Sequence, residues 1–205
     1  DDPGMASSQN EQDNRRYAVA AGIPMLEPCD SQEAYDFMLL AVEVSERWRI
    51  PVLLRLTTRV CHSKTVVVGR GPQTPPPAPH FERDIPARVM IPAYARPAHQ
   101  RLRAKLAEIE AWNETSGPRE VTGGPDSLGI VTSGIAGVHV REAAPEARVL
   151  RLGMTFPLPL ECVREFARSV ARCLVVEEGD PYLYENLRAA GITVEGKPAM
   201  YRFGE

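Results

Sequence analysis

Three features of this 205-residue sequence predict an α/β fold. Short apolar runs alternate with helix-period segments through the second half. A strand, a helix and a second strand follow one another near the start, an order that implies parallel strands with the helix as crossover. A proline-dense stretch lies between these two regions and separates them.

The chain opens on a polar, glycine-bearing stretch, Asp1-Asp2-Pro3-Gly4-Met5-Ala6-Ser7-Ser8-Gln9-Asn10-Glu11-Gln12-Asp13-Asn14-Arg15, immediately before a helical pattern predicted over Glu11 to Ala21 with Gly22 as its stop. Met25-Leu26-Glu27-Pro28 is an apolar pair bounded by prolines and suits a brief buried strand. Asp30-Ser31-Gln32-Glu33 has the spacing of a capping box, followed at helical intervals by Ala34, Phe37, Met38, Ala41, Val42 and Trp48. Pro51 to Thr57 reads as a strand.

From Gly69 to Pro92 the chain carries seven prolines, including Pro75-Pro76-Pro77, which favours an extended connector over helix or central strand. A helix is predicted over Ala98 to Glu114, with Leu102, Leu106, Ile109 and Trp112 as its apolar stripe. A second break is expected over Thr115 to Asp126, where Gly, Pro and Ser cluster. Beyond it the pattern predicts strands at Leu128–Thr132, Arg148–Leu152, Cys173–Glu177 and Ile192–Glu195, with helices at Ile135–Ala143, Leu160–Val170 and Pro181–Ala190. Asp180 is expected to cap the last helix, and capping is also the favoured role of Thr132-Ser133-Gly134. The predicted organisation is therefore residues 1–68, a 69–126 linker with a connecting helix, and 127–205 as a small doubly wound unit.

Hydrophobic residues make up 43% and charged residues 25% of the chain, which suits a folded domain with a core. A net charge of −3 from 24 basic and 27 acidic residues leaves no basic field of the kind nucleic acid demands. No apolar run reaches membrane-spanning length and the start lacks a signal-peptide pattern, so a cytoplasmic location is expected. Cys29, Cys61, Cys162 and Cys173 lie far apart, without the spacing of a zinc or iron–sulfur site, and the abrupt Asp-Asp start suggests part of a longer chain. No metal site is assigned.

Ligands in parallel sheets gather at the carboxyl ends of strands, which places Glu27 and Thr57-Thr58-Arg59 on the functional edge beside the opening loop. Ser7, Ser8, Gln9, Asn10, Gln12, Asp13 and Arg15 present donors and acceptors together at a helix N-terminus, where free N–H groups favour anions. Ser7 or Ser8 can equally serve as a helix cap. Glu27 is more readily paired with an Arg than catalytic, and Glu177 and Glu178, adjacent at a strand end, point to opposite faces. No Ser-His-Asp set, P-loop or dinucleotide fingerprint is present.

Asp1 to Arg15, Glu27-Pro28, Arg55-Leu56-Thr57-Thr58-Arg59 and Leu152-Gly153-Met154-Thr155-Phe156-Pro157-Leu158-Pro159 together resemble the large (alpha) subunit of indolepyruvate ferredoxin oxidoreductase. One departure is Ala6, where a His commonly precedes the paired serines in that family. The resemblance implies an internal fragment holding the end of a thiamine-diphosphate pyrimidine-binding domain followed by a transketolase-C-terminal-like domain. It also implies oxidative decarboxylation of aryl 2-oxoacids such as indolepyruvate to acyl-CoA, with reduction of ferredoxin. Thiamine diphosphate, Mg2+ and [4Fe-4S] clusters would serve the complete enzyme, none of them held tightly by this fragment. A beta (small) subunit, ferredoxin and coenzyme A would be its partners. Ser7, Ser8, Gln9 and Asn10 would line the cofactor cavity and Gln12, Asp13 and Arg15 would meet the substrate. The alternatives are a subunit of another thiamine enzyme, of dehydrogenase or transketolase type, or a non-catalytic α/β interaction module.

If the proline-dense stretch separates two units, limited proteolysis should cut first between Gly69 and Pro92. First cleavage inside 128–195 would contradict that organisation.

Overall fold

The computed structural model describes residues 1–71, 78 and 80–197. The extended geometry predicted for Pro75-Pro76-Pro77 lies outside the described residues. After a single 3-10 turn at Pro3–Met5 come α1 (Asn14–Ala21), β1 (Met25–Leu26), α2 (Ser31–Trp48), β2 (Leu53–Leu54) and α3 (Thr58–His62). A four-residue helix, α4 (Ile85–Arg88), precedes the long α5 (Pro92–Ser116). The remainder is β3 (Arg119–Thr122), β4 (Gly129–Ser133), α6 (Ala136–Ala143), β5 (Arg148–Leu152), β6 (Met154–Phe156), α7 (Leu160–Arg168), β7 (Cys173–Val176) and α8 (Tyr182–Ala189).

The α/β fold class is borne out, with two sheets among the described residues. The first has the order β2-β1-β6, with β1 and β2 parallel across the α2 crossover and β6 antiparallel to β1. The second has the order β3-β5-β4-β7, parallel except for β3. Its helices cover both faces, as the alternation along the strands requires. Ile130 and Val149 pack with Val140 of α6, whereas Val131, Leu150 and Leu152 pack with Val163 and Phe166 of α7 and with Leu183 and Leu187 of α8.

The differences from the predicted elements have local causes. The first helix begins at Asn14, not Glu11, because Asp13 is extended and its carboxylate accepts the Arg15 N–H as the cap. The capping box before α2 forms with one substitution: Asp30 accepts from the Glu33 N–H, while Glu33 accepts from the Cys29 N–H. Met38 and Val42, expected in the core, are exposed, and Val44 turns inward with Phe37, Ala41 and Trp48. Two short stretches depart more. Arg119–Thr122 is an edge strand where a break was predicted, and the strand expected at Ile192–Glu195 is reduced to a single bridge between Leu174 and Glu195.

Helix α4 forms inside the proline-dense stretch because Asp84 accepts the Ala87 N–H and Pro86 falls in the first turn, where its missing N–H is no loss. The same tolerance starts α5 at Pro92, six residues before the predicted boundary at Ala98, and Pro97 sits inside it. The predicted stripe on α5 is present. Ile109 is fully buried, Leu102, Leu106 and Trp112 pack beside it on the α2 cluster, and the Trp48 and Trp112 ring centroids are 5.5 Å apart. Among the described residues no helix is long and apolar enough to cross a membrane.

One continuous run joins the sheets. Residues 148–152 belong to the second, 154–156 to the first, and Gly153 stands at the change of partner. Its N–H donates to Pro118 O and its carbonyl accepts from the Glu27 N–H, each at 2.8 Å. A Cβ there would lie 2.6 Å from Phe37 Cζ and 2.9 Å from Pro118 O. Asn113 of α5, also buried, holds the next turn by donating to the Met154 and Pro157 carbonyls.

Gly153→Ala should therefore destabilise the chain by about 1–3 kcal/mol, the usual cost of overpacking a filled core. Urea unfolding followed by tryptophan fluorescence measures it; an unchanged midpoint would show that Phe37 and the 118 turn move freely.

Candidate functional site

The opening loop is folded onto its own carboxylates. Asp2 accepts from the Ser7 and Ser8 N–H groups and from Thr58 Oγ1, which bends residues 2–8 back over the start of α3. Asp1 accepts from the Asn14 N–H and from Arg55 Nε. Ser8 Oγ donates to the Asn10 carbonyl, and the Gly4 N–H to Glu11. Gly4 takes φ 70°, a left-handed conformation that glycine adopts freely, and Met5 follows it at φ 54°.

This folding leaves a cleft of about 290 Å³ lined by Ser7, Ser8, Asn10 and Gln12 from the loop, Asp1 and Asp2 beneath them, and Asn14 and Thr58 at its sides. Four of the seven candidate residues thus meet on one cavity. Gln9 is exposed on the same loop, outside that lining. Thr58 joins the site from the Thr57-Thr58-Arg59 segment expected at this edge. The Thr58 hydroxyl and the Ser7 and Ser8 amides hold the Asp2 carboxyl well below the usual carboxylate range.

The anion-binding helix end expected here is not formed. The Asn14 N–H is taken by Asp1, the Arg15 N–H by Asp13, and the Arg16 N–H by the Asp13 carbonyl. With its first donors satisfied by the chain's own acceptors, α1 presents no open set of N–H groups to a ligand.

Asp13 and Arg15 lie deeper. The Arg15 side chain has no exposed surface; Nε and Nη2 donate to Asp13, Nη1 to Glu177 at 2.7 Å, and Nη2 also to the Glu178 and Asp180 carbonyls at 2.6 and 2.8 Å. The Tyr182 ring lies 5.1 Å from its guanidinium carbon. Burial opposes the charge on Arg15, but the Asp13 hydrogen bond and the Glu177 charge outweigh it and raise its pKa. Burial likewise works to raise Asp13, yet the hydrogen bond and charge of Arg15 bring its carboxyl below the ordinary value. In this arrangement Arg15 points away from the cleft and into the second sheet.

The carboxylates at strand ends are structural acceptors. Glu27, 1% exposed, accepts from Arg55 Nη1, Ser133 Oγ and Thr155 Oγ1 at 3.0, 3.1 and 2.6 Å. Ser133 is therefore not a helix cap: α6 starts from Ile135 with no side-chain cap, and the Ser133 hydroxyl is spent on Glu27. Asp180 does not cap α8 either. Glu177 does that work by accepting the Leu183 and Tyr184 N–H groups, leaving Asp180 to pair with Arg16. Nothing in the local pattern marks a buried Arg15–Glu177 pair, since its members are 162 residues apart.

All four cysteines are free thiols, far apart in the chain, and burial pushes Cys29 up to about 12 and Cys173 up to about 11. Among the described residues no group of three His, Cys, Asp or Glu side chains could hold a metal ion.

Comparison with known proteins finds relatives along the whole chain. The chain is 43% identical to indolepyruvate oxidoreductase subunit IorA of Methanothermobacter thermautotrophicus, over 100% of this chain and 36% of that protein. For the proteins of the same description in Archaeoglobus fulgidus and Pyrococcus abyssi, identity is 37% and 38%, over 98% and 100% of this chain and 33% and 34% of theirs. The chain thus spans about a third of the length of the curated relatives it matches. Among solved structures, a 2-oxoglutarate:ferredoxin oxidoreductase from Magnetococcus marinus, with 2-oxoglutarate, coenzyme A and succinyl-CoA bound, superposes with a TM-score of 0.68 at 17% identity, over 91% of this chain and 41% of that one. No family model matches. The resemblance carried by the opening loop and the segments around Glu27, Arg55 and Gly153 is borne out, and the fold is that of the oxidoreductase chain.

Because the folded pKa of Asp13 lies below the ordinary 3.8, its contribution to stability is complete above that value and is lost as pH falls through the folded one. Asp13→Ala leaves Arg15 buried with one partner fewer and should cost about 3–5 kcal/mol near neutrality. Thermal unfolding of both proteins from pH 7 to pH 3 should show the gap closing toward the acid end; a constant gap would show that Asp13 does not act through its charge.

Proposed function

We propose that this chain, homologous along its whole length to about a third of indolepyruvate oxidoreductase subunit IorA, works within a thiamine-diphosphate-dependent 2-oxoacid:ferredoxin oxidoreductase that converts aryl pyruvates such as indolepyruvate to acyl-CoA. The observation that carries this reading is the 43% identity over the full chain. The matching fold of a 2-oxoglutarate:ferredoxin oxidoreductase chain agrees with it. A dehydrogenase or transketolase-type subunit shares the α/β layers but is not what the relatives are called.

Within that enzyme we assign residues 1–68 to the end of the pyrimidine-binding domain, 127–205 to the transketolase-C-terminal-like domain, and 69–126 to their connection. The cofactor supplies the electron sink that decarboxylation of a 2-oxoacid requires. Residues present here fit part of it. The hydroxyls and amides of Ser7, Ser8, Asn10 and Gln12 suit a neutral or cationic ring with hydrogen-bonding edges, and Asp1 and Asp2 favour positive charge beside them. The same two carboxylates, with no cationic side chain in the lining, do not suit a diphosphate. We therefore place diphosphate and Mg2+ binding on the remaining two thirds of the protein, together with the iron–sulfur clusters, for which the dispersed cysteines here offer no ligand set.

The chain's own contribution is orientation. Asn10 and Gln12 line the cleft, each side-chain amide both donor and acceptor, and Asp2 holds the Ser7 and Ser8 backbone in place beside them. Gln9 remains a contact proposed from the resemblance alone. The small subunit, ferredoxin and coenzyme A are the partners this assignment requires.

In the complete enzyme, assayed with indolepyruvate, coenzyme A and ferredoxin, Asn10→Ala and Gln12→Ala should each lower kcat/KM about two- to tenfold, the effect of one net hydrogen bond. Transfer of the acyl group to a lipoyl acceptor instead of ferredoxin reduction would overturn the assignment. The isolated chain should give no binding heat with thiamine diphosphate and Mg2+ at micromolar concentration.

A further inference from the structure

We propose that Arg15 and Glu177 are positioning residues: the turn between β7 and α8 fixes where the opening loop sits, and neither side chain touches a ligand. The inference rests on the reading of the loop as the site of a 2-oxoacid oxidoreductase, and it deepens that reading by assigning part of the site's geometry to the second sheet.

Arg15 has every kind of its side-chain donor engaged. Its Nε and Nη2 hold Asp13, the residue where the loop ends, and Nη1 and Nη2 reach the 177–180 turn through one carboxylate and two carbonyls. Glu177 is equally committed. One of its oxygens receives Arg15 and the Leu183 N–H, the other the Tyr184 N–H, so the start of α8 and the start of α1 share one carboxylate. Asp13 closes the circuit by accepting the Asp180 N–H at 3.1 Å.

Gly179, at φ 71°, lets the turn come this close, since a Cβ there would stand 3.1 Å from Asp13 Oδ2. An outer pair, Arg16 to Asp180 and Glu185, lies over the circuit with half-exposed side chains. At its exit the loop is also tied by the Asn14 N–H on Asp1 and by Glu11, which accepts the Gly4 N–H. Residues 4–10 are exposed, and their anchors lie at the entrance, on Asp2 and Thr58. A buried ion pair is weak evidence for stability, because apolar side chains of like volume can do as well, whereas a forked guanidinium fixes direction.

The test uses the complete enzyme carrying Glu177→Gln, Arg15→Lys or Arg16→Ala. Hydrogen exchange is read at the Ser7, Ser8 and Asn14 amides and, for reference, in β4, alongside kcat and KM for indolepyruvate. Glu177→Gln should speed exchange at the loop amides about tenfold with β4 unchanged, and raise KM about three- to tenfold with a smaller change in kcat. Arg15→Lys, which keeps the charge and loses the fork, should shift both readouts part of the way, and Arg16→Ala should leave both near wild type. Equal acceleration in the loop and β4, or no acceleration in either, would overturn the proposal. Should Glu177→Gln fail to fold, Arg15→Lys decides by the same comparison. A wild-type enzyme that does not turn over indolepyruvate would defeat the functional reading alone, since exchange still reports on the loop.

Discussion

The carboxylate of Glu27 is the constraint on which the rest of the arrangement depends. Buried at the end of β1, it can only accept hydrogen bonds, and an unmatched carboxylate at 1% exposure would cost several kcal/mol. Its donors come from three directions: Arg55 just past β2, Ser133 at the end of β4 and Thr155 within β6. Satisfying one side chain therefore brings the carboxyl ends of two sheets to a common point. Gly134 turns the chain away from Ser133 at φ 55°, a left-handed conformation that glycine adopts freely. Arg55 then extends the arrangement outward by donating to Asp1, and Asp1 in turn holds the first amide of α1.

Much of the fold was legible because it is written in local periods. The 30–48 helix, the α5 stripe and the alternation from 128 to 190 follow from apolar spacing, and the first of these also from Asp30, which caps the N–H three residues on. What escaped notice depends on partners distant in sequence. Met154–Phe156 has no pattern to distinguish it from a loop; it becomes a strand only because β1 lies beside it, and Arg119–Thr122 does so because β5 offers an edge. The short α4 around Pro86 and the first turn of α5 at Pro92 show the reverse error, in which proline was read as a breaker where a first turn makes it harmless.

The candidate site divides along the same line. A crowded polar stretch before a helix suggested a cavity, and Ser7, Ser8, Asn10 and Gln12 line a common cleft. The polarity of that cavity was misjudged. Counting donors at a helix start assumes that they face outward, whereas here Asp1 and Asp13 are close enough to consume them. Arg15 was misplaced for a related reason. An Arg in a polar loop is normally solvated, and only the turn at Glu177–Asp180, far along the chain, supplies the acceptors that bury it completely.

These two buried clusters give the chain a coherent division of labour. The Glu27 cluster fixes the sheets to each other, and the Arg15 cluster fixes the loop to the second sheet. No cationic side chain lines the cleft, where Asp2 is hydrogen-bonded by neutral donors and Asp1 is ion-paired with Arg55. A carboxylate-lined cavity attracts cationic or hydrogen-bonding rings and repels diphosphate and carboxylate groups. An anionic group seated against this wall would need its counter-charge from outside these residues, whereas a ring with hydrogen-bonding edges would find donors and acceptors already in place.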